Sequence, residues 1–328
     1  MKVFGIDPGE WRDEYRDQGW IHIRGGIDPE FLEFLRDFAR RRFSAHKVEG
    51  KAIGGRKAQS LFQFPAEVDF PGHLFDIVAA VCGLQRETMT LSERHIKAYD
   101  ADAPPNPPAH KDRQASQVSV GLSIDIPGDS RLVLYPLSHR GPNPYNISAA
   151  LKDRLPPEQQ PEVALEHAIP VEIDDQPGDV VMFPGSTVWH LRRNAAGAVN
   201  LYLKFNDFEC DPLGEDPATS RRRAETLAAL NGDGLDSLVP VRARRLDTIA
   251  HEETRDGGSL LEARVFDEQP VQLNDVRVEL LRALDGKRDV RALLDELAAL
   301  GVDASEGDVR YLAEREVIDL VRDSLLKP

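Results

Sequence analysis

Between residues 94 and 205 the chain alternates apolar and polar residues again and again, and no other feature restricts its fold as much. The segments are RHIKAYD (94–100), QVSVGLSIDI (117–126), RLVLYP (131–136), AIPVEID (168–174), DVVMFPG (179–185) and VNLYLKF (199–205). Each is short, rich in β-branched or aromatic residues, and bounded by Gly, Pro, Asn or Asp, which is the composition of strands closed by turns. Many short strands of this kind build a barrel or a two-sheet sandwich. A short strand, GWIHIRG (19–25), comes earlier. After it, IDPEFLEFLRDFARRRF places Phe31, Phe34, Leu35 and Phe38 on one helical face, with Asp28 as the cap and Pro29 as the first helical residue. A second short helix is expected over 69–84, with Phe75 and Val78 facing inward.

At 328 residues the chain is long enough for about two domains. The alternation ends near residue 206, where SRRRAETLAALNGDG reads as a helix and VRARRL as a basic connection. Beyond that, LNDVRVELLRALDG and DVRALLDELAALG each carry leucines at helical spacing and a glycine at the C-cap position; SEGDVRYLAERE gives a third helix and VIDLV (317–321) a strand. The order is that of a small winged helix. The expected division is therefore a β-rich domain over 1–215, a helical linker over 216–248, and a winged-helix-like domain over 249–328, an α+β protein as a whole.

Charge narrows the choice of partners. The net charge is −15, and residues 249–328 hold 11 Lys and Arg against 19 Asp and Glu, a net of −8. Such a surface repels phosphate, so nucleic acid is excluded as a partner even for a winged helix. No apolar run reaches the roughly 20 residues of a membrane span, and the N-terminus lacks the layout of a signal peptide, so a cytoplasmic protein without a membrane partner is expected. Cys82 and Cys210 are the only cysteines and form no CxxC pair, which rules out a thiol-rich zinc site. Any metal must be held by histidine and carboxylate.

The stretch PPNPPAHKDRQAS (104–116) supplies them. Its prolines hold the approach extended, and His110 and Asp112, two apart at the mouth of a strand, point to the same side and can grip one ion. A third ligand is available in QPGDVVMFPGSTVWHLRRN, where His190 follows a short break after an apolar strand. Two histidines and one carboxylate form the facial triad of non-haem Fe(II) oxygenases. The plain alternatives are a polar loop around His110 and Asp112 and a core histidine beside Trp189.

Four stretches in order, GWIHIRGGIDPEFLEFLRDF, AHKD, SRLVLYPLSHRGPN and QPGDVVMFPGSTVWHLRRN, make residues 19–208 resemble the phytanoyl-CoA dioxygenase-like branch of the Fe(II)/2-oxoglutarate oxygenases. The resemblance implies a double-stranded β-helix, a jelly roll of the cupin kind, with flanking helices. It implies catalytic metal ligands His110, Asp112 and His190, with 2-oxoglutarate as co-substrate and O₂ as oxidant. Related halogenases lack the carboxylate, so Asp112 points to hydroxylation. The chain departs from the family where an arginine normally binds the co-substrate carboxylate, because Asn200 and Leu201 stand there. Lys204 shares a strand face with Asn200 and Tyr202 and can supply the charge, unless it is a solvated strand lysine. Lys97 is a second candidate. Arg192, with Arg193, is the fallback and is expected at the rim.

His139 would cap a turn or touch substrate, and residues 54–65, with Arg56, Lys57 and Gln63, would form a lid or a surface loop with Leu61, Phe62 and Phe64 tucked under. Residues 260–323 resemble the small winged-helix domains of PqqD-like peptide-recognition elements, which implies a peptide leader or a second copy of the chain as partner. The substrate is then a small molecule, amino acid or peptide. The competing expectation is a catalytically idle β-helix that binds a metal or ligand and carries a peptide-binding adaptor.

Overall fold

The structure is a computed structural model that describes residues 1–44, 57–138, 141–232, 234–253 and 259–322. The chain divides into two compact units, 1–208 and 209–328. Among the described residues no helix is long and apolar enough to cross a membrane.

In chain order, unit 1 consists of α1 (Arg12–Gln18), β1 (Ile21–Ile23), α2 (Pro29–Ser44), β2 (Lys57–Leu61), α3 (Gly72–Cys82), β3 (Thr90–Tyr99), β4 (Val118–Asp125), β5 (Arg131–Tyr135), α4 (Ser148–Arg154), α5 (Pro161–Ala164), β6 (Val171–Ile173), β7 (Val180–Phe183), β8 (Trp189–Arg193) and β9 (Val199–Asn206). The helix ends follow the expected chemistry. Asp28 Oδ1 accepts from the Glu30 amide at 3.0 Å and so caps α2, while α1 ends on Gly19 at φ 78°, a conformation that favours glycine.

The strands form two antiparallel sheets, ordered β1-β7-β4-β9-β3-β2 and β6-β5-β8. A bridge between His110 and His190 adds a rung to the free edge of β8. From β6 onward the chain alternates between the sheets, as a jelly roll does. On β3, β4 and β9 one face carries Ile96, Val120, Leu122, Leu201, Leu203 and Phe205, all buried against Phe31 and Leu35 of α2 and Leu74 and Val78 of α3. The opposite face points between the sheets. There Phe183 of β7 meets the His190 ring of β8 edge-on at 4.8 Å.

One sequence expectation changes in this unit and one strand is added. Residues 57–61 are not a loop but an edge strand paired with β3 from Lys57↔Tyr99 to Leu61↔His95; Phe62 is buried as expected, whereas Leu61 is 41% exposed. His190 follows the short break after β7 as expected, but it lies inside a further strand, β8, whose end Leu-Arg-Arg carries charge that masks a buried strand. Arg56 and His139 lie outside the described residues.

Unit 2 contains α6 (Pro217–Leu230), β10 (Val239–Arg242), β11 (Leu246–Glu253), β12 (Ser259–Val265), β13 (Val271–Gln272), α7 (Asp275–Arg282), α8 (Val290–Ala299), α9 (Glu306–Glu314) and β14 (Ile318–Val321). The three expected helices and the strand occur in the expected order. Their caps are Asn274, whose side chain accepts from the Arg277 amide, Asp289, which accepts from Ala292, and a Ser305–Asp308 capping box. β14 pairs with β10, and β11, β12 and β13 form a meander. The stretch 216–248, read from sequence as a helical linker, therefore carries α6, β10 and the start of β11, and its Leu235 and Leu246 share one core with Leu280, Leu293, Leu312 and Ile318.

Candidate metal centre

The backbone sets the three expected ligands. His110 and His190 face each other across the bridge, each amide donating to the other's carbonyl at 2.9 Å, so their rings stand 4.4 Å apart. The Asp112 amide donates to Gly185 O at 2.9 Å, and the Asn143 side chain donates to Asp112 O at 2.9 Å, tying the loop down on both sides of the carboxylate. One ligand atom from each of His110, Asp112 and His190 lies within 4.8 Å of the others. His110 is exposed, while Asp112 and His190 are buried, so the group opens to one side.

Two residues not marked by the sequence shape this group. Ser119 Oγ donates to Asp112 Oδ2 at 2.7 Å. Gly185 lets the two meet: a Cβ there would lie 2.6 Å from Asp112 Oδ2 and closer still to Ser119 Oγ. The available signal was the Pro-Gly-Ser turn after β7, which reads equally well as ordinary turn chemistry. Lys111, between the ligands, points the other way, donating to Gly141 O and lying 5.0 Å from the Trp189 ring; burial lowers its pKa to about 8.

The electrostatics suit a cation. His190 Nδ1 lies 2.9 Å from Val188 O, a bond that requires the proton on Nδ1 and turns the Nε2 lone pair towards Asp112 Oδ2, 3.6 Å away. Burial lowers the His190 pKa more than Asp112 raises it, which keeps the imidazole neutral. For Asp112 burial acts against ionisation, but its charged neighbours, the Lys204 ammonium first, outweigh it and hold the carboxyl far below the usual range. A neutral imidazole and an ionised carboxylate are the forms in which these side chains bind metal.

The expected co-substrate residues all lie between the sheets. Asn200 pairs with Lys97 on one side and Ser123 on the other; it is 0% exposed, and among the described residues neither atom of its carboxamide has a hydrogen-bond partner. Lys204 is 3% exposed and donates to Asp112 Oδ2, which disposes of the solvated-strand alternative. Lys97 pairs with the buried Glu93 at 3.1 Å. Arg192 corrects an expectation: it does not face the rim but is 5% exposed and bidentate to Asp175 at 2.8 and 3.1 Å, because it shares the inward face of β8 with His190. Its Nε has no hydrogen-bond partner among the described residues. Arg193, on the other face, pairs with Glu172.

No family model and no curated protein matches the chain. Solved structures similar to it include the non-haem α-ketoglutarate-dependent epimerase SnoN from nogalamycin biosynthesis, at 14% identity over 61% of this chain and 80% of that one, with a TM-score of 0.45. A Pseudomonas putida prolyl-4-hydroxylase is 15% identical over 61% of this chain and 98% of its own, with a TM-score of 0.42. HygX from Streptomyces hygroscopicus, with nickel and 2-oxoglutarate bound, is 13% identical over 62% of this chain and 88% of its own, with a TM-score of 0.42.

Proposed function

We propose that unit 1 is a non-haem Fe(II)- and 2-oxoglutarate-dependent oxygenase that hydroxylates an unactivated C–H bond of a small molecule, an amino acid or a peptide. The observation that carries this reading is the meeting of His110, Asp112 and His190, with His190 Nε2 and Asp112 Oδ2 turned to one point and Nδ1 fixed on a backbone carbonyl. Two imidazoles and one carboxylate leave positions open for a co-substrate and O₂. When bound, iron with 2-oxoglutarate and O₂ supplies the oxidising power, one oxygen atom leaving in succinate as CO₂ is lost and the other entering the C–H bond.

The protein's own residues bind and orient. Asp112 supplies an ionised oxygen whose position Ser119 and Gly185 fix. The carboxamide of Asn200 and the Nε of Arg192, buried without partners, fit a polar group brought in by the co-substrate, since buried polar groups in native proteins are normally satisfied. Lys97, opposite Asn200, and Lys204, on the same face of β9, bring further positive charge to it. For unit 2 we propose capture of a partner, a peptide leader or a second copy of the chain.

The non-catalytic reading draws on one observation: Lys97, Arg192 and Lys204 each already hold a carboxylate. Mixing the protein with Fe(II), ascorbate and 2-oxoglutarate separates the two. Succinate formed by the parent and lost in His190→Ala supports the oxygenase; a parent that binds iron and forms no succinate, with or without candidate substrates, supports the idle β-helix.

A further inference from the structure

We propose that Lys204 is the resident counter-ion of the metal centre: its ammonium occupies the metal's place on Asp112 Oδ2 and leaves that oxygen when a divalent cation binds. The proposal rests on the reading of His110, Asp112 and His190 as metal ligands. Asp112 Oδ2 receives three neighbours at once: the Lys204 ammonium, Ser119 Oγ at 2.7 Å and His190 Nε2 at 3.6 Å. The register makes this contact a built one, because Lys204 stands opposite Ser119 on β4 and opposite Glu93 on β3. All the carboxylate's partners therefore come from fixed strand positions rather than from a loop.

A metal held by His110, Asp112 and His190 would compete with the ammonium for Asp112 Oδ2. Two cations at contact distance in a buried site repel strongly, so one of them must withdraw. Lys204 has somewhere to go. Its Nζ already lies 5.8 Å from the Tyr202 ring centre, an aromatic face shared with Lys97 at 5.1 Å, and Glu93 next to it on β3 is ionised: burial opposes this, but Lys97, His95, Lys204 and Arg113 outweigh it. Metal entry thus exchanges one cation on Asp112 for another and frees an ammonium inside the jelly roll. Lys97, Arg192 and Lys204 are all engaged with carboxylates, so an anion of the dicarboxylate class finds its cation only once a metal has displaced Lys204.

Mn(II) binding, read by electron paramagnetic resonance of the free ion, tests the exchange without any turnover. Lys204→Met removes the competitor and is expected to bind Mn(II) about tenfold tighter than the parent or better. Its metal-free form should melt below the parent, and Mn(II) should raise its melting temperature more than it raises the parent's. Glutarate, which lacks the chelating 2-oxo group, should bind the parent only with Mn(II) present and Lys204→Met under neither condition. Lys204→Gln carries the same expectation for metal affinity if the methionine variant fails to fold. Unchanged or weaker Mn(II) affinity in a folded Lys204 variant overturns the proposal, the weaker result meaning that Lys204 positions Asp112 instead. The metal reading fails separately: it falls if Asp112→Asn and His190→Ala both bind Mn(II) as the parent does.

Discussion

The two faces of β3, β4 and β9 are made by the same strands and are equally closed to water, yet they have opposite chemistry. Towards α2 and α3 they present Ile96, Leu122, Leu201, Leu203 and Phe205. Between the sheets, residues one step along present Glu93, Lys97, Ser119, Asn200, Tyr202 and Lys204. Burying charge is expensive unless it is paired, and replacing buried ion pairs with apolar residues is often neutral or stabilising. A fold that needed only stability would have filled both faces alike. The inner face is therefore where the chain gives up stability for binding, and the pairs Lys97–Glu93 and Lys204–Asp112 keep it foldable.

The largest expected effects sharpen that contrast directly. Glu93→Ala strands the Lys97 ammonium in a buried site and should cost about 3–5 kcal/mol in urea unfolding, as breaking a buried pair typically does. Replacing Glu93 and Lys97 together with Met should recover at least half of that loss. On the outer face Leu203→Ala should cost about 2–5 kcal/mol through a cavity, and no second truncation should rescue it. If the double Met variant is no better than Glu93→Ala, the two faces do not differ in the way described. Next in size, Gly185→Ala pushes a methyl group into Ser119 and Asp112 and should weaken Mn(II) binding about 10–100-fold while leaving the sheet intact by circular dichroism.

Acid separates the two units. The folded pKa of Glu93 lies below its unfolded value, so its contribution is complete above about pH 4.5 and is lost as the pH falls through the depressed folded value. Asp319 of β14 behaves in the opposite sense. Burial raises its pKa to about 6, so it costs nothing below the unfolded carboxylate range and progressively destabilises as the pH rises through 6. Asp319→Asn should therefore stabilise unit 2 by about 1–2 kcal/mol at pH 7.5 and have little effect at pH 4, as read by unfolding at both values. The smallest effect is expected from Arg193, which pairs at the surface with Glu172: Arg193→Ala should change stability by less than about 0.5 kcal/mol, in contrast to the buried Arg192 beside it.

Much of this architecture was legible in the sequence because period two survives on both kinds of face. Six alternating segments gave six strands, and the spacing of His110 and Asp112 gave the carboxylate and one imidazole of the site. What escaped notice has a common cause. The run Leu-Arg-Arg after His190 suggests a rim rather than the buried strand β8, because charge on an inward face looks the same in a sequence as charge on an outward one. The role of Gly185 and the Ser119–Asp112 bond were invisible for a different reason. Gly185 and Ser119 are 66 apart in the chain and meet only through the β4–β7 register, and the Ser119–Asp112 bond, though it joins residues seven apart, needs that same close approach. In unit 2 the helices announced themselves through leucine spacing and caps, while β10 hid in a basic stretch because its partner, β14, lies nearly eighty residues later.

The central claim is that the polar inner face exists to hold a metal on His110, Asp112 and His190. Anaerobic Fe(II) titration of the parent and of Asp112→Ala, with bound iron counted after gel filtration, tests it most directly. The account predicts one iron per chain in the parent and almost none in Asp112→Ala at the same concentration; a parent that retains no iron, or an Asp112→Ala variant that retains as much as the parent, would contradict it.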